Sequence, residues 1–142
     1  TVSGTFNAAA VSSNVTVNST NSNPQMLLDG PPNGASRTRP FVISGWAVDT
    51  GAPTGTGIDA IHVWAFPTNG SPAFFVGVGT YGTSRPDVGS YLGNSRFNNS
   101  GFSITVTSGN MPSPGTYDFQ IFGRSTVTGS FSVARVVRVT VQ

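Results

Sequence analysis

Ile58-Asp59-Ala60-Ile61-His62-Val63-Trp64-Ala65-Phe66 is the longest nearly unbroken apolar run in the chain, and Pro67 closes it. Turn-formers bound it on both sides, Gly55-Thr56-Gly57 before and Thr68-Asn69-Gly70 after. Its β-branched and aromatic residues read as a strand rather than a helix. Alternation along a strand places Ile61, Val63 and Ala65 on one face and Ala60, His62, Trp64 and Phe66 on the other. Neither face is polar, so this strand is expected in the middle of the structure, covered on both sides. What covers the second face is the functional question.

Composition points the same way. The chain has 142 residues, room for one domain with a real core. It contains no Cys, Lys or Glu, and charged residues make up only 8%. The best helix formers are therefore scarce, while Val, Thr, Phe and Gly favour strands and turns. The expected class is all-β. A net charge of +2, carried by scattered Arg, is too small for a nucleic-acid footprint. No apolar run reaches membrane-spanning length, and no signal peptide is present. A start at Thr1 without Met suggests a processed or excised chain. The Ser/Thr/Asn-rich composition suits an extracellular or cell-surface setting that does not rely on disulfides.

In chain order, residues 1–24 stand apart as an N-terminal extension with no charge at all. Val2, Gly4, Phe6, Ala8 and Ala10 form one alternating series; the phase then switches to Val11, Ser13, Val15 and Val17. About 20 residues at ~3.3 Å each would span roughly 65 Å, far beyond one strand of a compact domain. Residues 25–142 read as a separate, self-sufficient sandwich of about seven strands: 26–28, 41–48, 58–66, 73–81, 102–106, 116–124 and 131–141. Between the fourth and fifth, Ser84-Arg85-Pro86-Asp87-Val88 fits one helical turn with Pro86 near its start. This spacing, with Gly and Pro turns between strands, predicts a Greek-key β-sandwich.

Several motifs in order carry a resemblance. They are Leu28-Asp29-x-Pro31-x-x-Gly34, Gly45-Trp46-Ala47-Val48-Asp49 and Ile58-Asp59-x-Ile61-His62-Val63-Trp64-Ala65. Tyr81-Gly82-x-x-Arg85-Pro86-Asp87-Val88, Ser100-Gly101-Phe102 and Pro114-Gly115-Thr116-Tyr117 follow. Together, over residues 26–142, they resemble immunoglobulin-like modules of large secreted bacterial proteins. The resemblance implies an immunoglobulin-like sandwich and a secreted setting; it implies no catalytic residues.

Within such an architecture Tyr117 fits a tyrosine corner, its hydroxyl bonding back to the backbone upstream. Phe119 then stands where antibody domains place a disulfide Cys, and Trp64 matches the buried core Trp. Aromatics would hold the core instead of a bridge.

Chemistry is sparsely represented. His62 is the single histidine, set on an apolar strand with no Cys, Lys or Glu to work beside it. No nucleophile-elbow motif is present, so no catalytic residue is expected. Asp29, Asp49, Asp59 and Asp87 sit at strand ends or loops and could gather around Ca²⁺. Their spacing resembles no calcium loop, and capping a turn or pairing with an Arg such as Arg85 explains them as well. Neither a metal nor a cofactor is expected. Asn14, Asn18, Asn69 and Asn98 match the glycosylation acceptor pattern, which arises readily by chance in a chain of this composition.

Two functional readings follow. In the first, the surplus N-terminal segment is a donor strand. An apolar, uncharged strand needs an edge or groove to occupy, and strand addition into a neighbouring copy would place Val2, Phe6, Ala8, Val11, Val15 and Val17 in its pockets. Repeated head-to-tail contact then builds a homopolymer. The chain's stop on its last strand at Gln142, with no linker, fits this. The other possibility for the segment is pairing within its own sandwich, or belonging to a preceding repeat. In the second reading, Trp46, Trp64, Phe66, Phe74, Phe75 and Tyr81 include an aromatic platform for surface polysaccharide. His62, Trp64 and Phe66 form the candidate acceptor or aromatic surface in either case.

Overall fold

A computed structural model describes residues 21–111 and 113–142; its elements are nine strands, one short helix and a 3-10 turn. The strands are β1 (Pro24–Gly30), β2 (Ala35–Arg37), β3 (Phe41–Asp49), β4 (Ile58–Pro67), β5 (Phe74–Val78), β6 (Thr80–Thr83), β7 (Gly101–Val106), β8 (Gly115–Ser125) and β9 (Phe131–Val141). Helix α1 (Pro86–Leu92) and the turn Ser95–Phe97 lie between β6 and β7. Two sheets, ordered β1-β3-β7-β6 and β2-β9-β8-β4-β5, pack as an all-β sandwich.

Alternation sorts the faces as expected. Ile61, Val63 and Ala65 of β4 are fully buried, against Ile43, Phe102 and Val106 of the facing sheet and Phe119, Ile121 and Val139 beside them. Each Val, Ile or Phe of this layer removed from water contributes about 1.5–3 kcal/mol, which makes the layer the main source of stability. Glycine is needed where the layers crowd. A Cβ on Gly45 of β3 would strike the carbonyl oxygen of Leu27 on β1, and it would sit 3.0 Å from the Phe102 ring.

The strand count exceeds the expected seven for two reasons. The short β2 pairs in parallel with the end of β9. The stretch 73–81, expected as one strand, is two strands in different sheets. The chain changes sheets at Gly79, whose N–H donates to the Ile61 carbonyl at 2.8 Å. The turn expected around Pro86 extends into α1, with Pro in its first turn and Gly93 in the left-handed conformation (φ 72°) at its end.

α1 covers the outside of the four-stranded sheet. Its Val88, with Phe97, packs on Trp46 and Val48 of β3 in a second apolar cluster. This corrects the expectation that Trp64 is the buried core tryptophan. Trp64 points away from the core, in the opposite phase to Val63, and is 38% exposed, whereas Trp46 is buried under α1. It also corrects the expected double cover of β4, whose second face has no layer over it among the described residues. Tyr117 behaves as a tyrosine corner, its hydroxyl donating to the Ser113 carbonyl at 2.9 Å, and Phe119 is fully buried.

Candidate functional site

The open face of the five-stranded sheet follows from the register of its strands. With Ile61, Val63 and Ala65 turned inward, β4 must present Ala60, His62, Trp64 and Phe66 outward. The paired rows run His62–Phe122–Ala134 and Trp64–Gln120–Val136 across β4, β8 and β9. From β5, Phe75 and Val78 join this surface opposite Trp64 and His62. The rings form one cluster: His62 lies 5.3 Å from Phe75 and 4.4 Å from Phe131, and Trp64 lies 5.4 Å from Phe75, centroid to centroid. Trp64, Phe66, Phe75, Val78, Phe131 and Val136 all remain exposed. This open aromatic and aliphatic surface is the largest grouping of exposed apolar side chains on the five-stranded sheet among the described residues.

Ion pairs close the two ends of this patch. Phe66 lies in register with Asp118 and Arg138, whose carboxylate and guanidinium meet at 2.8 Å. The guanidinium hydrogen bond holds the Asp118 carboxyl below the usual carboxylate range. At the other end Arg124 contacts Asp59 at 2.6 Å. Such exposed pairs contribute little stability, but they bound the apolar area with charge.

The remaining carboxylates do not gather around a cation as weighed from the sequence. Asp29 and Asp87 both hold Arg85, at 2.6 and 2.9 Å. Asp49, buried at the end of β3, accepts from the Ser22 and Ser125 hydroxyls, each at 2.6 Å. The Asn23 and Gly51 amides donate to it at 2.7 and 2.9 Å. Burial alone would raise its pKa; the four donors together outweigh that and lower it. Asp49 thereby ties Ser22 and Asn23, ahead of β1, to the turn after β3 and the end of β8. No local pattern in the sequence announced that role, because its donors come from remote segments.

Of the residues singled out from the sequence, Val2, Phe6, Ala8, Val11, Val15, Val17, Asn14 and Asn18 lie outside the described residues. His62, Trp64 and Phe66 share the open face, with Phe75. Trp46 is buried, and Phe74 and Tyr81 pack against the core. The Tyr81 hydroxyl donates to the Ala47 carbonyl at 2.7 Å, and burial pushes its pKa up to about 12. Asn69 is on an exposed turn, where its side chain accepts from the Ser71 amide at 3.0 Å. Asn98 is half-buried against Gly89 of α1, and Ser100 of the same triplet is fully buried. Phe131 and Val136 escaped sequence reasoning; the signal was there in β9, which carries apolar residues in both phases.

No protein-family model matches the chain. No curated protein matches it. Among solved structures, the crystal structure of domains 4 and 5 of the S-layer protein SbsC is similar over 92% of this chain, at 14% identity and a TM-score of 0.43. The chain spans about half of that one (48%), and a likeness this loose transfers neither fold nor role.

Proposed function

We propose that this chain is a non-catalytic, extracellular structural subunit that assembles head to tail, residues 1–20 of one copy adding as a strand to the next. The observation that carries this reading is that, among the described residues, a two-sheet sandwich with its own buried core runs from Met26 to Val141. An uncharged, alternating apolar segment attached to a complete sandwich has no layer of its own to fill, and strand addition to a second copy satisfies both its backbone and its side chains. Such a contact joins unlike surfaces, so its repetition builds a fibre rather than a closed dimer. The strand orders β1-β3-β7-β6 and β9-β8-β4 support an immunoglobulin-like sandwich; the extracellular setting rests on the Cys-free, Ser/Thr/Asn-rich composition.

The test is removal of residues 1–20 followed by sedimentation and electron microscopy. The expected product is a folded monomer that forms no polymer. Polymers of unchanged length would overturn the reading, as would a truncated chain that no longer folds. Phe6→Asp should act in the same direction but more weakly, by burying a charge in an apolar pocket.

The exposure of Trp64, Phe66 and Phe75 favours a second reading, a platform on which polysaccharide rings stack. Titrating the full chain with polysaccharides while following tryptophan fluorescence separates the two. A saturable shift, absent in Trp64→Ala, supports binding; a flat response from a polymerising protein supports assembly alone.

A further inference from the structure

Strand β9 is paired unequally along its two edges. On one side β8 pairs with it from Phe131 to Val141. On the other, β2 pairs only with residues 139–141, and Arg138 is taken by Asn33 and Gly34, its N–H donating to Asn33 Oδ1 at 2.8 Å and its carbonyl accepting from Gly34 N–H at 2.7 Å. Residues 131–137 therefore present an outer edge with no strand partner among the described residues. We propose that this edge is the acceptor for residues 11–17 of a second copy, added antiparallel to β9 in line with β2. The proposal rests on the strand-donation reading above.

Length and pattern both favour this occupant. The vacant edge is seven residues long, and so is the alternating run from Val11 to Val17. Facing the core side, β9 offers Val133, Arg135 and Val137, set opposite Gly123, Ile121 and Phe119 of β8. That is one polar position between two apolar ones. The core-facing series of the arm, Val11-Ser13-Val15, has the same pattern. Antiparallel pairing over the seven residues sets Val15 opposite Val133, Ser13 opposite Arg135 and Val11 opposite Val137. Parallel pairing would instead set Val15 against Arg135 and Ser13 against Val133.

Exposure fits as well. Arg135 has core-facing phase yet is exposed, and among the described residues its Nη1 donates to the adjacent Ala134 carbonyl, at 3.1 Å. A hydroxyl from Ser13 supplies an oxygen acceptor there without adding a charge. Val133 and, on the neighbouring β1, Leu28 are only partly buried and would be covered from the side, while Val136, 54% exposed, would gain a neighbour on the outer face.

The other sheet edges suit an arm less well. β6 is only four residues long and polar; its register shift is no distinction, since β9 carries one at Ser132. β1 starts on Pro24 and carries Asp29, held by Arg85. β5 has only five residues before the chain turns away at Gly79. An unguarded edge with unpaired main-chain groups is where strand addition occurs; the free part of β9 matches β1 in length and exceeds β5 and β6, and it has no Pro at its start.

The absence of cysteine from the chain makes a disulfide test clean. Two full-length variants carry an in-register pair, Ser13→Cys with Arg135→Cys and, independently, Val15→Cys with Val133→Cys. A control carries Ser13→Cys with Val78→Cys on β5. Under oxidation the in-register pairs should give a ladder of covalent multimers that collapses on reduction, and the control should not. A ladder from the β5 control alone overturns the β9 acceptor. So does a ladder from none of them when Val15→Asp in the full chain still abolishes polymers; donation itself then survives. Polymers indifferent to Val15→Asp, or disulfides closing only within single chains, would remove the donation reading as well.

Discussion

The Ser125 hydroxyl donates to the Asp49 carboxylate at 2.6 Å, and both side chains are completely inaccessible to solvent. The contact joins the end of β3 to the end of β8, and the same carboxylate collects Ser22 and Asn23 just ahead of β1. One buried charge, satisfied by four donors, thus fixes Ser22 and Asn23 ahead of β1 against the turn after β3 and the end of β8.

Asp49→Asn should destabilise the fold by about 1.5–3 kcal/mol, the range for hydrogen bonds to a charged group, and Ser125→Ala by about 1–3 kcal/mol. The carboxyl is more acidic in the folded chain than in the unfolded one. Its contribution is therefore present above the unfolded value of about 3.9 and is lost as pH falls through the lower folded value. Urea unfolding from pH 7 down to acid should show the gap between wild type and Asp49→Asn narrowing below about pH 4. A gap that widens there would contradict the assignment.

The two faces of the five-stranded sheet should respond oppositely to truncation. Phe119→Ala removes a fully buried ring and should cost about 3–5 kcal/mol. Phe75→Ala, on the open face, should change the unfolding midpoint little while altering assembly or ligand response. Denaturant titration of the two variants side by side checks the contrast.

Gly45→Ala places a methyl group against the Leu27 carbonyl and the Phe102 ring. Since the first neighbour is backbone and cannot rotate away, β1 and β3 must separate, at a cost of about 1–3 kcal/mol. Faster amide exchange confined at first to those two strands is the expected signature.

Tyr117→Phe keeps the ring, which packs 6.0 Å from both Phe74 and Phe119, and removes only the bond to the Ser113 carbonyl. The expected loss is about 1 kcal/mol, with an unchanged fold by circular dichroism.

Local chemistry explains what was legible in advance. Alternation identified Ile61, Val63 and Ala65 as core, Pro86 located the start of α1, and Pro114-Gly115 ahead of Tyr117 located the corner. Each depends on residues within a few positions of one another. The change of sheet at Gly79 was not legible, because it depends on a hydrogen bond to Ile61. Nor was the exchange of roles between the tryptophans. Trp46 is buried by α1, forty residues further on, while nothing among the described residues returns to cover Trp64.

By itself, the order of residues determined an all-β chain, the division of each strand into two faces, and an N-terminal segment without charge. Those follow from backbone propensity and side-chain alternation, which are local. Only the tertiary structure decided which apolar face is covered, which edge of β9 has no strand partner among the described residues and where Asp49 finds its donors. Each of those depends on segments tens of residues apart meeting in space, and alternation along one strand carries no record of what packs against it.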